Sequence, residues 1–140
     1  MKLGIDSYTL RWQGWEAFRL MEYSAALGLD VVHLGRGELS SLGEGYLREV
    51  KARADELDLG LELAMGSIDK WVSYFHADRG AAEEQLRALL PIARALGSPI
   101  VACSLGGQGE RGGEAPWSEH VAEVRRVLLA VAPDLRRRIG

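Results

Sequence analysis

Apolar residues switch between two spacings along the chain, and the switch happens four times. The run KLGIDSY reads as a strand and is followed by WEAFRLMEYSAALG, where Phe18, Met21, Ala25 and Leu29 recur at helical spacing. DVVHLG then precedes YLREVKARADELD, with Leu47, Val50, Ala54 and Leu57 along one face. LGLELAMG precedes AAEEQLRALLPIARALG, and SPIVACSLG precedes SEHVAEVRRVLLAVAPDLRRRIG, whose helix is expected to open at Pro116 or Ser118. Pro91 falls inside the third helical pattern and predicts a kink or a restart there.

The punctuation supports four repeated units. Helical patterns close at Leu27-Gly28, Leu57…Gly60 and Leu96-Gly97, where glycine can take the left-handed conformation that turns the chain back. Strands joined through helices lie parallel, with right-handed crossovers. The longer strand-to-helix segments GRGELSSLGEG, SIDKWVSYFHADRG and GGQGERGGEAPW then gather at the carboxyl ends of the strands, where α/β folds place their sites. The fold class expected is α/β, with four parallel βα units in one domain over residues 1–140.

Composition narrows the function classes. Of 140 residues 47% are hydrophobic, enough for one core, and the net charge of −3 is spread along the chain, which disfavours a nucleic-acid partner. Arg136, Arg137 and Arg138 read as a solvated helix end. Cys103 stands alone, so no internal disulfide can form and a reducing, cytoplasmic setting is expected. No window approaches the ~18 apolar residues of a membrane span. Gly107, Gly109 and Gly112 match the spacing G-x-G-x-x-G, but they lie in a loop ahead of the helix and no second strand follows, so the dinucleotide reading fails on context.

MKLGIDSYTL, GLELAMGSID and DRGAAEEQLRALLPIARALGSPIVACSLGG resemble the xylose isomerase-like TIM barrels. That superfamily includes sugar phosphate isomerases and epimerases, hydroxypyruvate isomerase and type IV endonucleases. The similarity is one of pattern along the whole chain, without a diagnostic catalytic string. It implies half of a TIM (β/α)8 barrel, the N-terminal half, truncated after the fourth unit. It also implies metal-assisted proton transfer next to a carbonyl in a sugar or hydroxy-carbonyl substrate. The family's divalent ion (Mn, Mg or Zn) is held by carboxylates and a histidine mainly from later strands. No metal ligand or catalytic residue is therefore carried over, and this half alone is expected to be inactive and to bind no metal tightly.

An open half barrel leaves two strand edges unpaired. Three outcomes are open: a fragment of a longer protein, a homodimer closing the barrel through its open edges, or rearrangement into a doubly wound sandwich. A non-catalytic module that pairs with another barrel half and an endonuclease-type activity are the alternatives to the isomerase reading.

Five residues are candidates for substrate binding: Tyr8, His33, Glu62, Trp71 and Ser104. Asp6, Ser7 and Tyr8 end the first strand, where a tyrosine can stack on a sugar; strand-end capping is the alternative. His33 in VVHLG could bind substrate or metal through a ring nitrogen or be a hydrogen-bonded structural residue, with Arg36 and Glu38 following on the loop. Glu62 interrupts an apolar strand, and alternation places it with Ala64 and Gly66 opposite Leu61, Leu63 and Met65. A carboxylate on a strand of that kind needs a partner, whether substrate, an arginine or His33. Trp71 sits with Ser67, Asp69 and Tyr74 on the third loop, either walling a sugar site or packing the loop down, and Asp78 reads as a helix cap. Ser104 ends the fourth strand beside Cys103, which reads as a small buried filler, and His33, His76 and His120 form no metal-spaced pair.

Overall fold

The computed structural model describes residues 1–64, 80–102 and 117–139. Within them the chain alternates strand and helix: β1 (Gly4–Asp6), α1 (Ala17–Ala26), β2 (Val31–Gly35), α2 (Glu44–Glu56), β3 (Gly60–Ala64), α3 (Gly80–Leu96), β4 (Val101–Ala102) and α4 (Trp117–Ile139). Short 3-10 helices follow β1 at Ser7–Gln13 and β2 at Arg36–Glu38. All strand pairs are parallel and the sheet order is β1-β2-β3-β4. A doubly wound sandwich reverses its strand order partway along the sheet. Here the order follows the chain throughout, which removes the sandwich and leaves a half-barrel arrangement.

One face of the sheet carries the core. Val32, Leu34, Leu61 and Leu63 point into it and are buried, while their neighbours Val31, His33, Glu62 and Ala64 are only half-buried on the other face. The alternation read around Glu62 therefore holds for the strand itself; Met65 and Gly66 lie outside the described residues. Helices α2 and α3 bring Leu47, Val50, Ala54, Leu86, Leu89, Ile92, Ala93 and Leu96 to the core face. Each fully buried leucine contributes roughly 1.5–3 kcal/mol of burial.

Helix α1 departs in part from the expected stripe. Its buried residues are Ala17, Leu20, Met21 and Ser24; Met21 is where the pattern puts it, while Phe18 and Ala25 are only partly buried against the core. Ser24 can occupy a core position because its hydroxyl donates to the Leu20 carbonyl at 2.7 Å within the same helix. Phe18 is displaced to the rim of the core, where it meets Tyr46 edge-on at 5.8 Å and links α1 to α2.

Helix endings follow the expected glycines in two of three cases. Gly28 and Gly97 take φ of 71° and 65°, while after α2 the left-handed residue is Asp58, at φ 55°, and Gly60 already belongs to β3. Pro91 does not restart the third helix, which runs on from Gly80 to Leu96 with the proline on its exposed side. Helix α4 packs Val124, Val127 and Val131 into the core and is clamped to α3 by charge. Arg87 Nε donates to Asp134 at 2.9 Å, and Arg126 donates to Glu83 at 2.6 Å. The hydrogen bond from Arg126, reinforced by Arg87, holds the Glu83 carboxyl below its ordinary range.

Candidate functional site

The open face of the sheet carries a polar row set by strand register. Asp6 pairs with His33 and His33 with Glu62, so three chemistry-bearing side chains stand side by side on neighbouring strands. Strands in a sheet are spaced about 4.8 Å apart, so the row spans roughly 10 Å, the width of one small sugar. His33 Nδ1 lies 3.9 Å from Asp6 Oδ2, close enough to pair if the ring carries a proton. Its other nitrogen, Nε2, is shielded from solvent with no hydrogen-bond partner. Glu62 makes no hydrogen bond among the described residues, and the arginine partner considered for it is not there.

The row above, one pleat closer to the carboxyl ends of the strands, is small. Gly35 pairs with Ala64 and Ala64 with Ala102. The turn after β2 sends Glu38 back over this small row: a Cβ built on Gly35 would lie 2.6 Å from Glu38 Oε2, which is itself buried and unpartnered. The turn is pinned on both sides. Leu39 is buried in the core, and Ser40 Oγ donates to Glu16 Oε2 at 2.7 Å. Ser7, buried at the end of β1, accepts a hydrogen bond from Gly35 N at 3.3 Å and ties the two strand ends together.

Tyr8 does not continue β1. Asp6 Oδ1 accepts from Tyr8 N at 2.9 Å and caps the 3-10 helix that begins at Ser7, so the capping alternative describes Asp6. The Tyr8 ring is half exposed, with the Arg11 guanidinium 4.0 Å from its centroid. Trp71 and Ser104 lie outside the described residues, as do Asp69, Tyr74, His76, Asp78 and Cys103. The structure thus brings together Asp6, His33 and Glu62 and adds Glu38, to which the sequence assigned no role. The only signal for Glu38 was its place three residues past a glycine that ends a strand.

Among the described residues, no three His, Cys, Asp or Glu side chains converge to hold a metal ion. The described part of the face therefore does not fit a divalent centre. What it offers is hydrogen bonding and proton transfer from two carboxylates and an imidazole, with a third carboxylate over the small row.

A sequential parallel sheet with its core on one face and a polar row on the other is half of a TIM-type barrel. Solved structures share it. D-psicose 3-epimerase crystallised in the presence of D-fructose superimposes with a TM-score of 0.72 at 14% identity, over 96% of this chain and 50% of that one. D-psicose 3-epimerase from Clostridium cellulolyticum H10, with D-tagatose, gives 0.65 at 20% identity with the same coverages. The chain thus spans about half the length of the structures it matches. The match is one of fold, in line with the half barrel expected from the sequence, and it takes in half of each neighbour. No protein-family model matches the chain. No helix among the described residues is long and apolar enough to cross a membrane.

Proposed function

We propose that this chain supplies the substrate-binding half of a sugar isomerase or epimerase. The observation that supports the reading most directly is the register-aligned row Asp6–His33–Glu62 on the open face of a half barrel. A ketose or other hydroxy-carbonyl compound presents hydroxyls along one edge, and this row offers them acceptors and a ring nitrogen. In a complete barrel the residues that move the proton next to the carbonyl come from the other half, with the divalent ion that polarises the carbonyl. The described residues of this half bind and orient.

Titration of the chain with D-fructose or D-tagatose, followed by backbone amide shifts, tests the reading. Shifts are expected at Asp6, His33 and Glu62, with binding weakened roughly tenfold or more in Glu62→Ala, the loss expected for a hydrogen bond to a charged group. Shifts confined to the helical face, or binding indifferent to Asp6→Ala, His33→Ala and Glu62→Ala, would sink it.

A second reading, pairing with another barrel half, is favoured by apolar residues left on the outer side of α4. Val121, Leu128 and Leu129 are exposed at i, i+7 and i+8. If these residues cover a second copy, light scattering gives twice the chain mass at micromolar concentration, and Leu129→Glu returns the monomer. A monodisperse, cooperatively folded monomer removes this reading.

A further inference from the structure

We propose that Glu38 and His33 form a two-point clamp for a vicinal diol on the open face of β2. The inference deepens the sugar-binding reading and rests on it.

Two polar atoms on this face are shielded from water and have no partner, Glu38 Oε2 and His33 Nε2. Buried polar atoms are nearly always hydrogen-bonded, so two orphans together call for an explanation. They are associated with adjacent positions of one strand face: His33 stands on β2, and Glu38 Oε2 lies 2.6 Å from where a Cβ on Gly35 would sit. Positions i and i+2 of a strand are about 6.6 Å apart, which two hydroxyls on neighbouring carbons can span with a hydrogen bond at each end.

The chemistry selects a diol. A carboxylate oxygen only accepts, so its ligand must donate. The imidazole nitrogen donates or accepts according to tautomer, and a hydroxyl serves either case. A second carboxylate would be repelled by Glu38, and an apolar ligand would leave both atoms unpaired. The glycine is part of the device. With any side chain at position 35 the Glu38 carboxylate would be displaced, and its neighbours across the sheet, Ala64 and Ala102, are small as well. The turn holding Glu38 is fixed before ligand arrives, through the buried Leu39 and the Ser40–Glu16 hydrogen bond.

The experiment is a D-fructose titration of the whole chain, read by the His33 ring proton resonances, with Glu38→Gln, Gly35→Ala and a set of monodeoxy fructoses. Circular dichroism checks that each variant folds. The expected result is ring shifts in the parent chain and affinity lowered roughly tenfold to a hundredfold in both variants. Two deoxy sugars lacking adjacent hydroxyls should bind the parent chain more weakly, and one of the two should lose nothing further in Glu38→Gln. If the parent chain shifts His33 but Glu38→Gln and Gly35→Ala bind D-fructose unchanged, the clamp is wrong and the sugar-binding row survives. If D-fructose shifts neither His33 nor Asp6 and Glu62, both fail. Equal loss for every deoxy sugar also overturns the diol assignment.

Discussion

Ser98 is where the short fourth strand is attached to the sheet, and its hydroxyl is the perturbation to make. It is buried, its Oγ accepts from Leu63 N at 2.9 Å and donates to the Ile100 carbonyl at 2.6 Å. β4 has only two residues, so this bridge precedes most of the β3–β4 ladder. Ser98→Ala removes both bonds. The Leu63 amide keeps a second acceptor, the Ile100 carbonyl at 3.3 Å, so no donor is fully orphaned. At about 1 kcal/mol per net hydrogen bond, with one partly replaced, the loss is about 1–2 kcal/mol. With a urea dependence of about 2 kcal/mol/M, the midpoint falls by roughly 0.5–1 M. Amide exchange should show Leu63 opening faster in Ser98→Ala while Val32 on β2 is unchanged. An unmoved midpoint with unchanged Leu63 exchange would refute the bridge. A loss above about 4 kcal/mol would show that the serine does more than join two strands.

Three further outcomes follow from local geometry. Glu83→Gln breaks the ion pairs with Arg126 and Arg87 and should lower the melting temperature at neutral pH. Because the folded carboxyl is depressed from its usual 4.5, its contribution is present above that value and lost as pH falls through the depressed one. The gap between parent and variant, measured by thermal melts from pH 7 down to pH 2, should therefore close in acid, and a constant gap refutes the pairing. Asp58→Gly relieves a left-handed non-glycine residue and removes a negative charge from the end of α2, and should stabilise by about 0.5–1 kcal/mol in urea melts. Gly4→Ala places a Cβ 2.8 Å from the Val31 backbone carbonyl. It should cost about 2 kcal/mol or more by parting β1 from β2, and by amide shifts it should disturb the Asp6–His33 pairing. A loss below 0.5 kcal/mol, as at an unconstrained surface site, counts against that close approach.

Strand and helix order could be read from the sequence because each element had its own signal. Leu61 and Leu63 alternate with Glu62, Leu47 and Val50 recur on one helical face, and Gly28 and Gly97 mark turns. The misreadings have specific causes. Ser24 satisfies its hydroxyl inside its own helix and so takes a core position that its polarity hides, leaving Phe18 and Ala25 only partly buried. Tyr8 looked like a strand residue until Asp6 capped a 3-10 helix beneath it. Asp58 adopted a conformation expected of Gly60. Of the candidate site, Glu62 and His33 were legible because each broke an apolar run. Their alignment with Asp6 depends on register, which no single strand encodes. Glu38 depends on a turn folding back over a glycine, and nothing in its own neighbourhood announces that.

Strand order that copies chain order has a consequence for how this chain fails. Among the described residues each strand is paired only with its sequence neighbours, and α3 packs mainly on α2 before it and α4 after it. Such an array behaves like a short one-dimensional stack, in which stability is close to a sum of unit and neighbour contributions. Its weak points are its two ends. Heat or denaturant should peel the stack from the two-residue β4 end and from β1, leaving β2 and β3 as the last paired strands. Because His33 and Glu62 sit on those two strands, that pair should outlast the flanks in partly unfolded chains, while Asp6 is released with β1.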